Sequence, residues 1–207
     1  MRPLVGIALG MSQRGATRQR GRPAAASRED VVEAGLYRYL RGRRIDVQAI
    51  AAEIGVGRAT VYRWFGSRDK LIGEVVIRAT EPVLAEARAG LEGKGGPGLL
   101  ETFDRFNRAL ADAPALRSFV EQERDAALRL IASGAGIVQP RIVELIAEQI
   151  TEEVDAGTYD PPIEPAILGY AIVKLAQAFL FNDAVAGVRG DVNRLREVEA
   201  ALLGVPA

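Results

Sequence analysis

From Ser27 onward, apolar residues recur at three- and four-residue intervals, and nowhere do they alternate as a half-buried strand requires, so the chain reads as all-α. Ser27-Arg28-Glu29-Asp30 has the spacing of a capping box, and Val31, Val32, Leu36, Tyr39 and Leu40 follow at helical intervals up to Gly42. Asp46 can cap a second short helix with Ile50, Ala51 and Ile54 inward, which Gly55 stops. A third helix is predicted over Arg58–Phe65. Gly66-Ser67 then breaks the chain, and Ser67 caps a longer fourth helix to about residue 89. GLEGKGGPG (90–98) reads as a loop; it lacks the phosphate-loop pattern and no strand precedes it.

Five more helical patterns follow. Leu99, Leu100, Phe103, Phe106 and Leu110 mark one, ended by Pro114. Leu116, Phe119, Val120, Ala127, Leu130 and Ile131 mark a single helix ending near Ser133-Gly134. Ile142 to Ile150 carry the next, running to 155–157. A helix over about 164–186 is apolar nearly all round, as expected for one buried on several sides. Asp191 caps the last, with Leu195, Val198, Leu202 and Leu203 inward. The total is about nine helices.

Composition narrows the chemistry. The 207 residues are 48% hydrophobic and 26% charged, which suits a globular chain with a buried core. There is no Cys and no His. That removes disulfides, thiolate and imidazole metal sites, cysteine nucleophiles and Ser-His-Asp triads. No cofactor, metal or membrane span is expected, and the missing Cys fits a reducing, cytoplasmic setting. The remaining carboxylates of interest are Glu123 and Glu152-Glu153, and the latter pair reads as surface helix, so the chain is not expected to be an enzyme.

Charge is balanced overall but not along the chain: residues 1–80 carry 15 Lys+Arg against 7 Asp+Glu, and residues 81–207 carry 12 against 20. A basic first part suits a polyanionic partner, and 24 of the 27 cations are Arg, the residue that binds phosphate and guanine with two parallel hydrogen bonds. Residues 1–26 hold five Arg and no acid and read as a flexible basic arm rather than a signal peptide. Within it, Arg20-Gly21-Arg22-Pro23 is similar to an AT-hook core, with Arg20 and Arg22 suited to a narrow minor groove; the alternative is a tail adding only nonspecific charge. Arg41, Arg43 and Arg44 read as a solvated loop.

The segment VQAIAAEIGVGRATVYRWFG (47–66) has the small–Gly–apolar–apolar spacing of a helix-turn-helix: Ala51 permits close crossing, Gly55 turns the chain, and Val56 and Val61 plug the joint. Extended through Ser67-Arg68-Asp69-Lys70-Leu71, it resembles the DNA-binding domain of TetR-family transcriptional regulators over residues 27–75, with Gly57 in place of the usual capping Ser and Arg68 in place of the usual Lys. The resemblance implies that Arg58, Ala59 and Thr60 face bases, that Gln48 reaches one from the preceding helix, and that Tyr62, Trp64 and Arg68 face phosphate with Arg63 assisting. The residue chemistry agrees, since Arg58 can pair with guanine and the methyl groups of Ala59 and Thr60 can touch thymine. Phe65 reads as core, and Trp64 as either core or phosphate contact.

The same resemblance implies that residues 76–207 form a helical ligand-binding and dimerisation domain. PRIVELIAEQITEEVDAGTY and YAIVKLAQAFLFNDAVAG are similar to the QsdR-type branch, which is associated with lactone and quorum-signal degradation. Phe103, Asn107, Phe119, Glu123 and Phe179 are the candidate ligand contacts. Asn107 and Glu123 fall on apolar helix faces, where a polar group must be paired, neutralised or used. Internal pairing is the open alternative for both. The expectation is a homodimeric regulator of double-stranded operator DNA, released by a small apolar effector; a ligand-independent DNA-binding or architectural protein is the alternative.

Overall fold

The computed structural model describes residues 26–132, 136–181 and 191–207, and the described residues are helical with no strand. Arg20, Arg22 and the rest of the basic arm lie outside them. Ten α-helices run in order: α1 Arg28–Leu40, α2 Val47–Ile54, α3 Arg58–Phe65, α4 Arg68–Arg88, α5 Gly95–Asp112, α6 Pro114–Gln122, α7 Arg124–Ala127, α8 Val138–Asp155, α9 Pro165–Phe181 and α10 Val192–Leu203. A π-helical turn, Leu128–Ala132, follows α7.

The helix starts are written locally. The Ser27 hydroxyl accepts from the Asp30 N–H and the Asp30 carboxylate accepts from the Ser27 N–H, a complete capping box. Asp46 accepts from the N–H groups of Gln48 and Ala49 at 2.7 and 3.0 Å, Ser67 from Lys70 at 3.1 Å, and Asp191 from Arg194 at 3.0 Å. Gly57 starts α3 with no side-chain cap, as its missing side chain dictates. Gly55 closes α2 at φ 75°, a conformation that costs a side-chain-bearing residue energy.

Two stretches depart from the expected pattern. The glycine-rich loop is shorter than expected, because Gly95 to Gly98 already form the first turn of α5. The single helix expected over 116–131 is broken at Glu123, whose backbone sits at φ −136° and ψ 44°. Neither Gly nor Pro causes this break; the Glu123 carboxylate is bonded to guanidiniums of α4 and of the α1–α2 loop.

Two apolar cores share α4 and α8. The first gathers Val31, Ile50, Val61, Phe65, Leu71, Ile72 and Val75 from α1–α4, and it also includes Leu116, Phe119, Ala127 and Leu130. The second gathers Leu84, Leu99, Phe103, Ile150, Leu168, Ile172 and Leu203. Each such side chain contributes about 1.5–3 kcal/mol when fully buried. α4 supplies both: its first half to one, Leu84 and Ala87 to the other, with Pro82 between them inside the helix. The boundary read at residue 75 therefore falls within a continuous helix.

Candidate nucleic-acid interface and an apolar cavity

α2 and α3 form the bihelical unit that the sequence spacing requires. Val61 and Phe65 are buried under α3, and Ala51 is buried where α2 crosses it. The opposite face of the unit is left to solvent: Gln48, Arg58, Ala59 and Arg63 are exposed, and Thr60 is half-buried. The Arg58 guanidinium lies over the Tyr62 ring, 5.4 Å from its centroid, so one aromatic face steadies the α3 N-terminal arginine. Tyr62 and Trp64 are half-buried and pack against the first core.

Arg68 departs from its expected place on phosphate. Its guanidinium donates to the Ile45 carbonyl at 3.3 and 3.1 Å and to the Glu123 carboxylate, one bond of which measures 3.1 Å. Arg44 donates to the same carboxylate at 2.8 Å, so it is not a merely solvated loop residue. Burial opposes the Glu123 charge, but the bonds from Arg68 and Arg44 outweigh it and hold its carboxyl below the ordinary value of 4.5. Arg41 instead stacks on Tyr37, 4.3 Å from the ring centroid.

Behind this unit lies a mostly apolar cavity of about 70 Å³. Val76 and Thr80 of α4, Leu116 of α6 and Ile131 of the π-helical turn wall one part; Phe103, Phe106, Asn107, Ile172, Val173 and Glu199 are among the rest. Of the candidate contacts, Phe103 and Asn107 are among the lining residues. Phe119 is not: it is buried in the first core, meeting Tyr39 edge-on at 6.0 Å between centroids. Phe179 does not line the cavity either; α9 presents Val173, Ala176, Gln177, Leu180 and Phe181 to it instead. Glu123 is the plainest correction. The break in the helix turns its carboxylate toward Arg44 and Arg68, away from the cavity.

Known proteins fit this geometry. Residues 94–204 match a family profile described as "Tetracyclin repressor-like, C-terminal domain", and residues 43–75 match "Bacterial regulatory proteins, tetR family". The chain belongs to the TetR family. A solved relative is the transcriptional repressor QsdR of R. erythropolis, 29% identical, with a TM-score of 0.80 over 87% of this chain and 95% of the other. Another is AlkX of Dietzia sp. strain DQ12-45-1b, a TetR-family repressor implicated in biodegradation of n-alkanes, 22% identical, with a TM-score of 0.60 over 86% and 96% of the two chains; it shares the fold. No curated protein sequence matches.

This TetR-family regulator is a DNA-binding transcription factor and not an enzyme. No helix among its described residues is long and apolar enough to cross a membrane, and no group of potential ligands there could hold a metal ion. Two of its buried carboxylates escaped the sequence reading. Glu199 sits at i+4 from Leu195 and just before Leu202 and Leu203, so the face argument applied to Glu123 also singles it out. Glu153, a surface helix position by its sequence pattern, is 1% exposed and paired with buried Arg88. Besides Thr158, five residues on, its partners come from α4 and the glycine loop, which no local pattern reveals.

Proposed function

We propose that this regulator is a homodimeric repressor that a small, largely apolar effector releases from its operator, with lactones and acyl compounds the class to test first. The observation that carries this reading is shared walling. Leu116 and Ile131 line the cavity, and the chain between them bears Glu123, which grips Arg44 and Arg68 beside the helix-turn-helix. An occupant that moves this segment changes how the DNA-reading unit is held. Differential affinity for two such arrangements is all that release requires.

On DNA, Arg58, Ala59, Thr60 and Gln48 are assigned to bases, and Tyr62, Arg63 and Trp64 to the backbone. Similarity to QsdR, itself described as a repressor, supports repression. For the dimer, Ile167, Tyr170 and Val198 leave 56%, 50% and 38% of their surfaces uncovered on α9 and α10, a face suited to a second copy.

The test is a footprint of purified protein on its own upstream DNA, with and without a panel of lactones and acyl compounds. A protected palindrome cleared by one compound class supports the proposal. A palindrome that no compound disturbs favours the ligand-independent reading, and equal binding to scrambled DNA sinks operator control altogether.

A further inference from the structure

The cavity wall is apolar apart from a few groups, and most of those are already spent. The Thr80 hydroxyl donates to the Val76 carbonyl at 2.8 Å within its own helix. Gln139 accepts from the Lys174 ammonium at 3.0 Å, and the Gln177 amide donates to the Ile131 carbonyl at 2.6 Å. Asn107 and Glu199 differ. They bond to each other across α5 and α10, with the Asn107 Nδ2 3.0 and 3.2 Å from the two Glu199 carboxyl oxygens. Both are buried, Glu199 completely.

We propose, resting on the cavity reading above, that Glu199 selects the effector by donating its carboxylic O–H to an uncharged, largely apolar molecule bearing a carbonyl acceptor, with Asn107 holding the acid in place. A carboxylate sealed among apolar side chains without a cation of its own is costly. The nearby cation, Arg196, is engaged by Glu101 at 3.2 Å and Asp104 at 3.5 Å. Burial first, and Asp104 further, push the Glu199 carboxyl from 4.5 up to about 8, against the opposing influence of Asn107 and Arg196. That shift favours the protonated acid at neutral pH. An acid kept neutral by an apolar site is a hydrogen-bond donor. Its Asn107 partner donates to it.

Charge near the wall weighs against ionic guests. The Lys174 ammonium, bonded to the wall residue Gln139 at 3.0 Å, adds positive charge on that side. A carboxylate guest would have to lie beside a buried acid that has Asp104 as well as Arg196 nearby. A carbonyl of an ester, lactone or ketone accepts the proton-bearing side of Glu199 with no charge to desolvate.

The experiment is titration calorimetry of the full-length protein with methyl decanoate, decanoate and decylamine. Wild type is expected to bind the ester at least about tenfold more tightly than either ion, and its ester affinity falls about tenfold from pH 7 to pH 9 as Glu199 ionises. Glu199→Gln, which keeps shape and a donor, is expected to hold the ester within about threefold and to lose that pH dependence, while Glu199→Leu loses about tenfold or more. An amine bound best, a pH profile unchanged in Glu199→Gln, or ester affinity indifferent to residue 199 each overturns the proposal while leaving the cavity reading standing. Failure of all three compounds to bind wild type overturns both. Helicity of each variant by circular dichroism separates lost binding from lost folding.

Discussion

A guanidinium at the start of α3 and a carboxylate at the break before α7 set the chemistry at the scale of single residues. Arg58 is exposed and oriented by the Tyr62 ring, so it needs little ordering to meet a base. Arg58→Ala is expected to weaken operator binding by about 1–3 kcal/mol and to relax preference at one base position, read by mobility shifts on operator variants. Glu123 does different work, pairing with two cations, Arg44 and Arg68. Glu123→Gln frees Arg44 and Arg68, so the slope of log affinity against log salt should steepen by about 1–2 units. The same variant should respond less to an effector. An unchanged salt slope would show that the two arginines contact no phosphate even when released.

Among elements, the glycine loop and α8 depend on one another. The Glu153 carboxylate accepts from the Gly93 and Gly95 N–H groups at 2.9 and 2.7 Å, from the Thr158 hydroxyl at 2.6 Å and from Arg88. It thus caps α5 from across the fold, where Lys94 offers no side-chain cap. Burial raises its pKa, but the bonds from Thr158, Gly95, Arg88 and Gly93 prevail and leave it below 4.5. A carboxyl lowered on folding adds stability above its unfolded value, and that stability is lost as pH falls through the folded value. Glu153→Gln should therefore cost about 3–5 kcal/mol at neutral pH, because Arg88 is left buried and unpaired. The gap to wild type should narrow below about pH 4.5, which melting curves across acid pH would show.

The elements also show what a one-dimensional pattern carries. Ser27, Asp46, Ser67 and Asp191 each cap the helix that follows because the partner N–H lies two or three residues ahead. Such signals survive in sequence, as does the α2–α3 joint. The start of α5 at Gly95 does not, because its stabilising carboxylate is 58 residues away. The break at Glu123 is equally hidden: Arg44 is 79 residues distant and Arg68 is 55. Phe119 and Phe103 look alike along the chain, and only the packing of α1 against α6 puts one in the first core and leaves the other in the cavity wall.

For the whole molecule, the uncovered face of α9 and α10 is the decisive surface. Ile167→Glu places a charge in the middle of the proposed contact and should convert a dimer to a monomer in sedimentation experiments, with helicity unchanged. Operator affinity should fall by about 10²-fold or more, since one reading head loses the effective concentration supplied by the other. A variant that stays dimeric would move the interface elsewhere.

Length gives α4 a mechanical meaning. Pro82 lacks the N–H that would tie it to the preceding turn, so the helix is softest there. From Pro82 to Arg68 the rigid part measures about 21 Å at 1.5 Å per residue. A tilt of about 10° about that pivot carries the far end about 4 Å. Two such arms swinging in opposite senses would change the distance between reading heads by about 7 Å, against a half-site repeat of about 34 Å. Hydrogen bonds fail over a fraction of that travel, so the proposed release would need a guest to shift its own wall only slightly.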